Sequence, residues 1–171
     1  MKIKAILDTN VFISGVFWKG PPFEILKAWQ EQRFRLAISP PILDQYRRVL
    51  DEMMKKRPLP VLTSILRIIE LHSEMVEPVS FAEPVCSDPD DDKFLEAALA
   101  AHAGYVVSGD AALLKVKQYR GIEIVRRQNH RSVFARRSRS LFGNLAKSTC
   151  VSCVASNRRR LPVVRRGFTL T

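Results

Sequence analysis

The chain has 171 residues, 46% of them apolar, and a formal net charge of +11, which suits one domain with a buried core. The charge is unevenly spread: residues 1–130 hold 18 Lys and Arg against all 17 acids, whereas residues 131–171 hold ten Lys and Arg and no acid. No window approaches the ~18 apolar residues of a membrane span, Asp8 interrupts the first apolar run too early for a secretory leader, and Cys86, Cys150 and Cys153 supply neither a disulfide framework nor four zinc ligands. A cytoplasmic protein without membrane contact is expected, in two parts: a near-neutral body over 1–130 and a basic tail over 131–171.

In chain order, residues 3–7 read as a buried strand, short and apolar. Residues 8–21 read as a loop, with Gly15, Gly20 and the Pro21-Pro22 pair. Phe23 to Gln32 has helical spacing, and Phe34 to Ser39 reads as a second strand. Ser39-Pro40-Pro41 starts a helix, Ser as cap and Pro in the first turn; Ile42, Leu43, Tyr46, Val49, Leu50 and Met53 continue it at helical period. After the break Arg57-Pro58-Leu59-Pro60 comes an amphipathic helix over Val61–Glu74, then a short strand over 75–79. Asp92–Ala103 is an Ala-rich helix, 105–108 a strand, 111–116 a short helix and 122–125 a last strand. Strands alternating with helices favour a mostly parallel sheet covered by helices. Beyond His130 the apolar periodicity fails, and the Arg-rich runs 136–140 and 158–160 read as solvated or disordered.

Three carboxylates fall where such a fold gathers side chains into one pocket, beyond the carboxyl ends of the strands. Asp8 ends the first strand, Asp110 follows the strand 105–108, and Asp92 closes Asp88-Pro89-Asp90-Asp91-Asp92 and opens a helix. Acids brought together repel unless a cation neutralises them, so the placement argues for a divalent metal and a hydrolase. Each also has a plain structural use: Asp8 and Asp110 as turn or helix caps, and Asp88, Asp90 and Asp91 as cap and first-turn acids facing a helix dipole. Glu96, four residues after Asp92, shares its helix face within an otherwise apolar stretch.

Asp8-Thr9-Asn10-Val11, Ser39-Pro40-Pro41-Ile42-Leu43, Asp88-Pro89-Asp90-Asp91-Asp92-Lys93-Phe94-Leu95 and Ser108-Gly109-Asp110 together resemble the PIN-domain proteins, in particular PIN-family toxins of bacterial type II toxin–antitoxin systems. The resemblance covers about residues 1–130; the tail has no counterpart. It implies a PIN-like three-layer α/β fold with a mostly parallel five-stranded sheet. It also implies a metal-dependent ribonuclease in which Mg²⁺ or Mn²⁺ activates water for phosphodiester attack. By position, Asp8, Asp92 and Asp110 match family acids that serve catalysis and metal binding, and Asn10 and Ser108 match flanking polar residues. Asp91 and Glu96 are supporting candidates. The remaining family acid falls at Gln45, which brings no charge; neighbouring Asp44 lies about 100° away around the helix. An antitoxin partner, an RNA substrate and homodimerisation are likewise implied by the resemblance.

Other readings fit less well. A haloacid-dehalogenase-type phosphatase needs a second Asp where Asn10 stands, and a receiver domain needs a Lys after its last strand, where Arg126-Arg127 follow Val125. A degenerate PIN domain that binds RNA or a partner protein without cleavage is the alternative that Gln45 raises. Lys93 and Lys115 lie near the acids in sequence but read equally as solvated surface lysines, and His72, His102 and His130 have no place in the mechanism.

Overall fold

A computed structural model describes residues 3–56 and 61–134. In order they form β1 (Lys4–Leu7), α1 (Thr9–Phe17), α2 (Pro21–Gln30), β2 (Arg35–Ile38), α3 (Pro40–Lys56), α4 (Val61–His72), β3 (Glu74–Met75), α5 (Asp92–Ala100), β4 (Tyr105–Ser108), α6 (Ala111–Val116), β5 (Gln118–Tyr119), β6 (Ile122–Arg126) and α7 (His130–Phe134), with 3₁₀ turns at Pro89–Asp91 and Arg127–Asn129. The strands form one sheet in the order β3-β2-β1-β4-β6-β5. Every pairing is parallel except the two-residue edge strand β5, which turns back antiparallel on β6. That short hairpin accounts for the difference between the expected five strands and the observed six. The break expected at Arg57–Pro60 lies outside the described residues.

The sheet is buried on both faces because its apolar strands alternate side chains between two cores. Ile6, Ile38, Val106 and Ile124 face α3 and α5, meeting Ile42, Tyr46 and Leu50 from the one and Phe94, Leu95 and Ala98 from the other. Ala5, Leu7, Leu36 and Val107 face the opposite way, onto Val11, Ile25, Ala28, Phe34 and Phe134. Each fully buried aliphatic side chain contributes on the order of 1.5–3 kcal/mol. At the edge of this frame Lys4 Nζ binds Glu74 at 2.6 Å and the Ala101 carbonyl at 3.0 Å, tying β3 and the end of α5 to β1.

Two segments depart from expectation. Residues 8–21 are not a loop: nine of them form α1, capped at its start by the Asp8 side chain. Gly15 is a packing device within that helix. A Cβ there would stand 2.6 Å from the Pro22 carbonyl oxygen and 2.8 Å from the Leu26 side chain, so glycine lets α1 and α2 approach closely. The short strand expected at 75–79 is reduced to Glu74–Met75.

The chain also stays folded a little past residue 130. His130 and Phe134 are buried on α7, and the Phe134 ring stacks on Phe34 with centroids 4.2 Å apart. Residues 135–171, where the expectation of a solvated tail falls, lie outside the described residues. His72 and His102 are exposed.

Candidate active site

All the parallel strands run in one direction, so Asp8, Ser39 and Ser108, each the residue just past or at a strand's carboxyl end, come level with one another. The register Ala5↔Leu36 and Leu7↔Val107 sets them side by side. Asp8 is 5% exposed and Ser39 and Ser108 are fully buried. Ser108 Oγ donates to Asp8 Oδ2 at 2.6 Å and accepts from the Asp110 backbone N–H at 2.9 Å. Asp8 Oδ1 accepts from the Asn10 backbone N–H at 3.1 Å, which starts α1. The Asn10 side chain is exposed, so its contribution at this end is through the backbone. Asp110 caps α6: its Oδ1 accepts from the Ala112 and Leu113 N–H groups at 2.6 and 3.4 Å. Both Asp8 and Asp110 therefore carry out the capping foreseen for them, and Asp8 is oriented in addition by a buried serine.

The acidic stretch 88–92 divides. Asp88 accepts from the Asp90 N–H at 3.0 Å and caps the 3₁₀ turn. Asp92 is only 7% exposed, and both its oxygens are occupied: Oδ2 by the Val85 N–H at 2.9 Å and Oδ1 by the Cys86 N–H at 2.7 Å. Glu96, one turn later on the same face, accepts from the Phe81 N–H at 2.9 Å. The shared face of Asp92 and Glu96 thus fastens the 81–86 segment to α5. Burial, with Asp92 as hydrogen-bond partner, pushes the Cys86 thiol up to about 12 and leaves it inert.

Asp91 faces the other way. It is half-buried, and its carboxyl is pushed up to about 6, first by loss of water and then by the charges of Asp110, Asp8 and Asp88. Asp91 thus feels the charges of Asp110 and Asp8, while each Asp92 oxygen accepts from the 85–86 backbone. Tyr46 closes the pocket from α3. Its hydroxyl donates to the Leu7 carbonyl at 2.6 Å, its ring stacks on Phe12 at 4.3 Å, and burial together with the Asp8 charge holds the phenol well above its ordinary value.

Three further polar atoms near this end are buried and take no hydrogen bond among the described residues: Thr9 Oγ1, Ser39 Oγ and Gln45 Oε1. Thr9 follows Asp8, Ser39 is its lateral neighbour, and Gln45 precedes Tyr46. Asp44, the alternative considered for Gln45, is exposed and pairs with Arg47 at 3.1 Å. Lys93 stands 5.7 Å from the Phe94 ring centroid.

Among the described residues no group of three or more His, Cys, Asp or Glu side chains is gathered closely enough to hold a metal ion as it stands. Each Asp8 oxygen accepts one protein donor and one Asp110 oxygen is engaged by its helix, which leaves lone pairs on both carboxylates. The donor set nonetheless fits a hard cation. It is all oxygen, which Mg²⁺ and Mn²⁺ prefer. The third carboxylate is held against two like charges, the situation that a cation relieves.

A parallel sheet covered by helices on both faces, with carboxylates collected at the strand ends, defines an α/β protein with an acidic centre. The comparisons make this specific: the PIN domain matches residues 4–112, and the chain belongs to that family. Members of the family are nucleases as a class and typically use divalent metal ions. The uncharacterized protein MJ1680 of Methanocaldococcus jannaschii is 31% identical over 125 residues, covering 68% of this chain and 77% of its own length. The crystal structure of VapBC2 from Rickettsia felis bound to a DNA fragment from their promoter is similar in fold. It matches with a TM-score of 0.50 at 14% identity, over 72% of this chain and 98% of that one. No helix among the described residues is long and apolar enough to cross a membrane.

Proposed function

We propose that this chain is a Mg²⁺- or Mn²⁺-dependent endoribonuclease, the toxin of a toxin–antitoxin pair, working in the cytoplasm on RNA phosphodiester bonds. The observation that carries the reading is the link from Asp8 through the buried Ser108 hydroxyl to the Asp110 backbone at the strand ends, with Asp91 beside them, its carboxyl raised first by loss of water and then by their charges. The three carboxylates would hold the cation, and Asp92 belongs to the scaffold. When bound, the ion would acidify a water and offset charge on the attacked phosphorus. The chain's own residues prepare for that. Ser108 fixes Asp8 and links it to the Asp110 backbone, Tyr46 anchors the end of β1, and the α1 and α6 caps hold two carboxylates at fixed angles. Ser39, Thr9 and Gln45 add buried oxygens without hydrogen-bond partners among the described residues.

The body would be the nuclease and the basic residues from 131 onward would add sequence-independent affinity for phosphate. An antitoxin and a second copy of the chain are the partners that the family resemblance suggests. A second reading rests on Gln45: a domain with one carboxylate fewer binds its cation more weakly and would hold RNA or a partner without cutting. The full chain, incubated with single-stranded RNA in Mn²⁺, separates the two. Cleavage that disappears in Asp8→Asn supports the enzyme; RNA binding with no cleavage by either protein supports the second reading; equal cleavage by both removes Asp8 from the chemistry.

A further inference from the structure

Resting on the nuclease reading, we infer that Arg127, with Arg126 beside it, is the phosphate-binding edge that guides a single RNA strand into the acidic centre. Arg126 ends the last parallel strand and Arg127 opens the 3₁₀ turn after it. The register Val107↔Val125 and Ser108↔Arg126 sets Arg126 level with Ser108, and Arg127 follows at the start of the 3₁₀ turn. The contact is visible in the packing at Gly109. A Cβ there would stand 3.1 Å from Arg127 Nη1, 3.2 Å from its Cζ and 3.4 Å from its Cδ. The guanidinium therefore lies along the strand end, over a backbone that has no side chain in the way.

Its position relative to the carboxylates follows from alternation. Ser108 points with Asp8 toward the α3 and α5 face, so Gly109 opens to the opposite face, beside α2 and α7. Arg127 thus stands across the strand end from Asp8. It is half-buried, and its backbone carbonyl is held by His130 Nδ1 at 2.8 Å, which fixes the turn. Among the described residues it forms no ion pair. An arginine that is ordered by packing against Gly109 and forms no ion pair among the described residues keeps its planar fork of donors for a phosphate. Since Gly109, against which it lies, directly precedes Asp110, it would take a phosphate neighbouring the one being cut. Arg126 is exposed at the same level on the carboxylate face and supplies a second, looser positive charge.

The test measures binding apart from turnover. In an Asp8→Asn background, full-length chains carrying Arg127→Ala, Arg127→Lys, Gly109→Ala or Arg126→Ala/Arg127→Ala are titrated into a fluorescein-labelled single-stranded RNA at several salt concentrations. Arg127→Ala should weaken binding about tenfold at unchanged melting temperature and make the slope of log K against log salt shallower by about 0.7. Arg127→Lys should restore the slope but only part of the affinity, and Gly109→Ala, which displaces the guanidinium, should fall between. Unchanged affinity and slope in the double variant would overturn the inference while leaving the nuclease reading intact. So would a loss of affinity that tracks a lower melting temperature and is not restored by lysine. Absence of cleavage by the parent, with the arginine effect present, would instead count against the nuclease reading alone.

Discussion

Asp91 and Asp92 are neighbours in sequence and opposites in circumstance. Asp92 is nearly inaccessible and fully satisfied by two backbone N–H groups; Asp91 is half-exposed and set against three like charges. Both are acids at the start of α5. Under the proposed function Asp92, tied to the 85–86 backbone, serves the fold, and Asp91, in a field of its own sign, serves the cation.

The largest effect expected from breaking this contrast is on chemistry. Asp91→Asn should lower Mn²⁺-dependent RNA cleavage by at least about a hundredfold, since a charged ligand is lost, with the protein still folded by circular dichroism. Asp92→Asn should act chiefly on the fold. An amide in that place cannot accept from both the Val85 and Cys86 N–H groups, and a buried donor left unpaired costs about 1–3 kcal/mol. Chemical denaturation would read that loss; an unchanged midpoint would show that the 85–86 segment does not depend on Asp92. Gly15→Ala tests the same scaffold further away, and overpacking the α1–α2 contact should cost about 1–3 kcal/mol in the same assay.

A smaller effect concerns pH. The Asp91 carboxyl is raised in the folded protein to about 6 from 3.8, so between those values the native state binds more protons than the unfolded one. Stability of the metal-free protein must then fall as pH rises through that window. The full shift would correspond to about 3 kcal/mol. Screening at a half-exposed side chain reduces it to the order of 1 kcal/mol. Urea midpoints measured from pH 4 to 7 should decline in the parent and stay level for Asp91→Asn; parallel curves would mean that the three carboxylates do not feel one another. The smallest effect should come from Gln45→Glu, a modest tightening of Mn²⁺ binding, and no change would show that position 45 does not contribute to the cation's surroundings.

The strands β1, β2, β4 and β6 and the helix α3 were legible because short apolar runs and a clear helical stripe have few other uses. α1 was not, for a physical reason. Its residues Val11, Phe12, Ile13, Gly15 and Val16 are buried on nearly every side, which erases the amphipathic period, and Gly15 reads as a breaker when it is a point of close approach. The acidic centre was legible as a place: Asp8 and Asp110 fall where strand ends put them. The different surroundings of Asp91 and Asp92 were not, because they turn on about 100° of rotation per residue at the junction between the Pro89–Asp91 turn and α5. No composition or spacing reports that phase. The contact of Arg127 with Gly109 was hidden for a related reason, since the turn after β6, invisible in one dimension, is what folds the guanidinium against it.

Calorimetric titration of Mn²⁺ into Asp91→Asn and Asp92→Asn, beside the unaltered protein, tests this division of labour most directly. Asp92→Asn should bind the ion about as well as the parent, even if less stable, whereas Asp91→Asn should bind it at least about tenfold more weakly. Full binding by Asp91→Asn, with loss in a folded Asp92→Asn, would contradict the account and return the metal to the carboxylate that now appears committed to the backbone.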